Sequence, residues 1–209
     1  KTAGEKIYRT VDVVEGVMLI NLRPHNGHRD SNLRDQNWPD AALPKERIGD
    51  GYIRSFLDRE HQQFPPTRGT LSNTLKGARD WFVTYPGYSY VDVKAKDGSV
   101  YRYRYEEFSR NVLLQELSPK LLARYAISFR NLVDAADRAH WIAGTVVSIT
   151  DTSTREVIAK KTWYSFEPGL GSRAGAREPW AFARTCPEME GSSGGSTRMF
   201  ADQVLKPRR

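Results

Sequence analysis

Two runs in the second half of the chain, Trp141–Thr150 (WIAGTVVSIT) and Glu156–Phe166 (EVIAKKTWYSF), are separated only by the polar stretch Asp151-Thr-Ser-Thr-Arg155. Both are rich in β-branched and aromatic residues that alternate with small or polar ones, the pattern of a pleated surface with one buried side. Joined by so short a polar connection, they predict two antiparallel neighbours. Val147 and Ile149 then share one face and Val146 and Ser148 the other, while Val157 and Ala159 mark a face of the returning strand. Leu121–Phe129 reads as a strand upstream of the pair, which makes a three-strand meander.

A second hairpin is expected from Tyr88–Lys94 and Val100–Tyr105 around Asp97-Gly98, a strong turn signal. It places Tyr101, Tyr103 and Tyr105 on one face and Arg102 and Arg104 on the other. Ile7–Leu22 reads as extended, with Gly16 marking a bulge or tight bend. Tyr52–Phe64 has helical spacing at Ile53, Phe56 and Leu57 and is ended by Pro65-Pro66. Leu71–Phe82 predicts another short helix, capped by Thr70 or Ser72, and Tyr85-Pro86-Gly87 a turn. Glu106–Gln115 fits helix and extended chain equally, and Asn131–Ala139 a loop or a single helical turn. Thr197–Leu205 predicts a closing helix with Met199, Phe200, Val204 and Leu205 inward. Residues 23–51 lack a period and form a long irregular loop, pinned by Trp38 and Leu43, and residues 188–196 form a flexible Gly/Ser-rich segment. No internal repeat has a fixed period. The expected fold is a single α+β domain over residues 1–209, dominated by antiparallel β-sheet, with short helices packed on it.

With 209 residues, the chain is long enough for one sizeable core. No apolar run approaches the ~20 residues a spanning helix needs. Lys1 stands where an initiator methionine would, which implies a removed upstream segment: a signal peptide, a membrane anchor or a tag. The net charge of +7, from 32 basic and 25 acidic residues, favours an acidic partner. Nucleic acid is not expected, because the densest basic cluster is only Lys206-Pro-Arg-Arg209. A single cysteine allows no internal disulfide and no cysteine-based zinc site, and Cys186 is expected as a small buried hydrophobe.

Several motifs match a known chemistry in letters only. Gly169-Leu-Gly171-Ser-Arg-Ala174 fits the dinucleotide fingerprint, but Gly175 and Pro179 argue against the helix whose amide end must face the phosphates. Gly191-Ser-Ser193-Gly-Gly195 fits the hydrolase nucleophile elbow, yet it lies in a Gly/Ser tract with no histidine after it. His25, His28 and Asp30, joined by His61, could ligate zinc or copper. Asp134, Asp137 and His140 could form an acid/base set, although their spacing is better read as a polar capping turn. The tyrosine face, with Tyr88 and Tyr90, fits a stacking platform for single strands, and fits better the half-buried inner side of a sheet. No catalytic residue, cofactor or metal is expected. The rival readings are a hydrolase or metal-dependent enzyme using the His/Asp groups, and a single-stranded nucleic-acid binder using the tyrosine and arginine face.

Thr162–Pro187 carries the most functional information. Its aromatic run ends at Phe166, a Gly/Arg-rich segment follows, and Trp180 and Phe182 come before Cys186. Aromatic anchors around glycines predict a shaped surface loop, and Arg173 and Arg177 on it suit carboxylates or backbone carbonyls. Together with Arg23, Arg29, Arg34 and Trp38 of the long loop, Arg173, Arg177 and Trp180 are the candidate partner-binding residues. Lys1–Asp12 and Trp141–Pro187 resemble parts of uncharacterised proteobacterial envelope proteins, in which a short hydrophobic N-terminal segment precedes a soluble domain. Some proteins of that type sit beside type VI secretion lipase effectors and resemble their immunity proteins. The resemblance covers about a third of the chain and implies no defined active residues. It implies a periplasmic or membrane-anchored protein facing the periplasm, held to the membrane only through the removed segment. Its expected role is non-enzymatic: binding a secreted toxic effector, an acidic enzyme, and neutralising it.

Overall fold

The computed structural model describes residues 2–24, 32–58, 60–63, 82–107, 109–117, 119–188 and 195–208. The strands are β1 (Gly4–Ile7), β2 (Val11–Val14), β3 (Gly16–Leu19), β4 (Glu60–Gln63), β5 (Phe82–Tyr85), β6 (Tyr90–Lys94), β7 (Val100–Glu106), β8 (Ser109–Leu117), β9 (Tyr125–Leu132), β10 (Ile142–Asp151), β11 (Glu156–Phe166), β12 (Arg184–Cys186) and β13 (Leu205–Pro207). Three short α-helices accompany them among the described residues: α1 (Asp50–Leu57), α2 (Ala135–Ala139) and α3 (Ser196–Val204).

The expected single α+β domain is what the chain forms. Nine strands make one mixed sheet in the order β1, β11, β10, β9, β3, β6, β7, β8, and β12 pairs with β11 as well. The meander β9–β10–β11 is antiparallel throughout, with Ile149 between Ile127 and Ala159. The β6–β7 hairpin is also as expected, Val91 facing Tyr103 and Val93 facing Tyr101. β3 is the exception, since it runs parallel to both neighbours, with Val17 facing Val91 and Tyr125. All four of its residues are buried, as a parallel strand covered on both faces requires. Beyond its end, the Asn21 side chain continues the ladder: Nδ2 donates to the Phe129 carbonyl at 2.8 Å, and Oδ1 accepts from the Phe129 N–H at 3.0 Å.

One face of the sheet, with Val17, Leu19, Val91, Val93, Ile127 and Ile149, is covered by Tyr52, Ile53 and Phe56 of α1 and Phe200 and Val204 of α3. Trp163 meets Phe200 edge to face, with ring centroids 6.1 Å apart. Met199, Phe200 and Val204 of α3 are buried as expected, as are Leu205, which opens β13, and Trp38 and Leu43 in the long loop. No described helix is long and apolar enough to cross a membrane.

Several boundaries differ from expectation; among them, the strand expected from Leu121 begins at Tyr125 and the closing helix ends at Val204, with Leu205 opening β13. α1 stops at Leu57 because Asp58 turns extended and the Arg198 guanidinium takes the carbonyls of Ser55 and Asp58 that another turn would use. Residues 60–63 therefore form β4, paired with β5, and Phe82 lies in β5 and not in a helix; residues 64–81, with the rest of that predicted helix, lie outside the described residues. Of the segment that fitted helix and extended chain equally, Glu106 ends β7 and residues 109–115 are extended, because β8 completes its hydrogen bonds on β7; Asn131 joins β9 opposite Thr145. Of the Gly/Ser segment, Ser196 opens α3, where it is buried, and residues 189–194 lie outside the described residues.

Candidate functional site

β11 delivers Glu167 to the start of the glycine-rich loop, and that carboxylate organises everything after it. Glu167 is buried at 1% exposure. Its Oε1 accepts from the Gly169 N–H at 2.8 Å and from Arg177 Nη2, and its Oε2 accepts from the Gly171 N–H at 2.7 Å. Burial works to raise this carboxyl's pKa, but the bonds from Arg177, Gly171 and Gly169 outweigh it and hold the group below its ordinary value. Gly171 has φ +79, and a Cβ there would lie 2.2 Å from the Trp141 indole, so only glycine fits the turn.

The loop rests on a second core of Leu33, Trp38, Ala41, Ala42, Trp141, Ala143 and Trp180. Trp180 packs on Trp141 at 5.2 Å between centroids and donates from Nε1 to the Asp35 carbonyl at 2.7 Å. Arg173 donates to the Arg34 carbonyl at 2.9 Å, and Arg34 faces Glu178 at 3.4 Å. Residues 32–43 and 167–183, far apart in sequence, are thereby one unit.

The predicted partner-binding residues divide by depth. Trp38 and Trp180 are interior and shape the unit from beneath. Arg34 and Arg173 are exposed, and Arg177 is spent on Glu167 while its guanidinium lies 4.5 Å from the Phe182 ring. Arg23 is buried and paired with Asp40 at 2.9 Å. Arg29 lies outside the described residues. The anion that Arg177 was expected to meet is therefore the chain's own Glu167. What sequence reasoning missed is the display above the clamp: Leu170 is 67% exposed, Phe182 57% and Phe166 43%. A signal existed, because Glu167 is the only acidic residue between Glu156 and Glu178 and it precedes Pro168-Gly169.

The remaining motifs fall into place. The amides of Gly169 and Gly171, which the dinucleotide fingerprint would aim at phosphate, point at Glu167, and only short 3-10 turns follow at Ala174–Ala176 and Pro179–Phe182. Asp134 caps α2, accepting from the N–H groups of Ala136 at 2.9 Å and Asp137 at 3.0 Å, and His140 is exposed. The tyrosine face is the half-buried inner side of the sheet: Tyr103 and Tyr105 pack on the main core, and the Tyr105 hydroxyl donates to Asp58 at 2.6 Å. Cys186 is a correction, for it is exposed and not buried, at the end of a three-residue edge strand. His25, His28 and Asp30, and residues 191–194 of the elbow-like tract, lie outside the described residues; His61 lies on β4. Among the described residues no three of His, Cys, Asp and Glu gather as a metal site.

No family model matches this chain, and neither a curated protein nor a solved structure matches it.

Proposed function

We propose that this protein is a non-enzymatic binding protein of the bacterial envelope, of the immunity type, which docks on a secreted toxic effector through the loop from Glu167 to Phe182. The observation that carries this reading is the combination of a loop shaped from within by Glu167 and two large apolar side chains, Leu170 and Phe182, left 67% and 57% exposed on it. Apolar and aromatic groups held in one pose are what interface centres use, and a loop already ordered loses little freedom on docking. Arg34 and Arg173 are exposed on the same unit, and a chain of net charge +7 is steered towards an acidic partner. The envelope location facing the periplasm and the immunity role rest on the resemblance of Lys1–Asp12 and Trp141–Pro187.

The test is a pull-down with the protein encoded by the adjacent gene, with that protein's activity assayed in the presence and absence of this one. Retention and inhibition are expected for the wild type. Leu170→Asp and Phe182→Asp should weaken retention at least tenfold with an unchanged melting temperature. A partner that is not retained, or whose activity is unaltered, overturns the immunity role. Full retention by both variants overturns the loop as the docking surface.

A further inference from the structure

Arg23 is 1% exposed, yet its Nε and Nη2 have no hydrogen-bond partner. Its remaining nitrogen, Nη1, donates to Asp40 Oδ1 at 2.9 Å, an oxygen that also accepts from Asn131 Nδ2 at 3.0 Å. The Phe129 ring centroid lies 4.2 Å from the guanidinium carbon. One edge of the group is thus anchored while the other is idle.

Two other arginines of this protein show what that idle edge takes. Arg102 uses Nε and Nη2 to hold Asp92 Oδ1 and Oδ2 at 2.7 and 2.8 Å. Arg124 uses the same pair to hold Asp151 Oδ1 and Oδ2 at 3.0 and 2.8 Å. The two parallel N–H bonds of this edge match the two oxygens of a carboxylate in spacing and direction.

Beside Arg23 is a cavity of about 300 Å³, lined also by Trp38, Leu43, Lys45, Arg47 and Gly51. That is room for a group of several heavy atoms, at the lower end of ligand-site volumes. Asp40 and Glu46 border it too, and both are already engaged, Glu46 by the N–H and hydroxyl of Thr197 at 2.9 Å each. The lining carries three cations against these two carboxylates.

We propose that this cavity is a receptor for one carboxylate group, docked side-on against Nε and Nη2 of Arg23. The group belongs either to a free small carboxylate or to the Asp or Glu side chain of a docking protein, and the recognition chemistry is the same. The site is independent of the loop reading above. Both nitrogens are closed to solvent, so docking requires the lining around Arg23 to open; Lys45, one of the lining residues, is exposed and on a flexible stem.

The test titrates the full chain with sodium acetate, with disodium succinate and with the blocked peptide acetyl-Gly-Glu-Gly-amide, each against sodium chloride at equal ionic strength. Melting temperature and tryptophan emission are read, since Trp38 lines the cavity. A saturable rise in melting temperature with a change in emission is expected for carboxylates and not for chloride. A response to the free acids alone assigns a small-molecule ligand, and a response to the peptide alone assigns a partner's side chain. Arg23→Lys, which lacks the paired N–H edge, should weaken the response at least tenfold. Because replacing a buried arginine can unfold the chain, Gly51→Leu is the second variant. A Cβ at Gly51 meets only Arg47 Cβ, at 4.0 Å, so the larger side chain fits on α1 and intrudes on the cavity. This variant should stay folded and lose the response. No saturable response to any carboxylate in the wild type overturns the proposal, as does a response that Gly51→Leu leaves unchanged.

Discussion

Arg198 and Asp202, one turn apart on α3, form an ion pair with both side chains fully excluded from water: Nε donates to Oδ1 at 2.7 Å. The same guanidinium donates to the Ser55 carbonyl at 2.6 Å and the Pro86 carbonyl at 2.9 Å, so it ties the last helix to the end of α1 and the approach to β6. Breaking such a pair from one side leaves a bare buried charge, which costs about 3–5 kcal/mol. Arg198→Met should lose that much in urea denaturation. Adding Asp202→Leu to it should recover part of the loss, because the two changes share one interaction.

Asp151 gathers five hydrogen bonds on one carboxylate. It accepts from Arg124 Nε and Nη2, from Ser153 N–H and hydroxyl, and from Arg9 Nη2. The Arg124 bonds are the largest cause holding its pKa well below the usual carboxylate range, with Ser153 and Arg9 adding to them against the opposing effect of desolvation. A lowered pKa means stability that is complete above the unfolded value of about 3.9 and is lost as pH falls below it towards the folded one. Asp151→Asn should cost about 2 kcal/mol at neutral pH, kept modest because water screens the solvent-open guanidiniums of Arg9 and Arg124. Its melting temperature should also fall less steeply than the wild type's between pH 4 and the acid limit.

Glu46 behaves in the opposite sense. Desolvation raises its pKa, and the attraction of Arg23 and the bonds from Thr197 and Arg47 only partly offset this. A raised carboxyl is tolerated without penalty below its unfolded value, about 4.3, and becomes progressively unfavourable as pH rises through the folded one. Glu46→Gln should therefore gain in melting temperature relative to wild type as pH is raised from 4 to 8. A difference that is flat with pH would show that Glu46 is charged and satisfied throughout.

At the loop, Glu167→Gln keeps the size of the side chain and loses the charge that Arg177 and the two glycine amides share. The expected outcome is release of the loop, read as at least tenfold faster tryptic cleavage after Arg173 and Arg177. Gly171→Ala should do the same by another route, costing about 1–3 kcal/mol through its left-handed backbone and the Trp141 ring.

Arg138 offers a gain. It is 2% exposed, its Nε and Nη1 have no partner, and its Nη2 reaches only the Pro39 carbonyl at 3.4 Å. Burial pulls its pKa down. Replacing a poorly compensated buried charge by an apolar chain of similar length is commonly neutral or stabilising by about 1–4 kcal/mol. Arg138→Met should melt no lower than wild type.

The hairpins β6–β7 and β10–β11 were legible because pairing between strands joined by a short turn is a local matter, settled by alternation and turn residues. The inward stripe of α3 was legible for the same reason, since helical spacing places Phe200 and Val204 together without reference to the rest of the chain. The shaped loop after Phe166 could be anticipated from its glycines and aromatics, but not the role of Glu167, because an acidic residue beside a turn reads as solvated until its donors are seen. Nor could periodicity show that β3 would enter the sheet parallel between β6 and β9, or that residues 60–63 would leave the helix for a strand.

The chain's local pattern, by itself, determined the two hairpins and the apolar sides of their strands, because side-chain alternation and turn chemistry act over a few residues. Only the tertiary structure decided where the charges went: Arg198 finds the Ser55 carbonyl 143 residues away, and Trp180 finds the Asp35 carbonyl across 145. A charged or polar group can be buried only where distant parts of the chain converge to satisfy it, and no local pattern records that convergence.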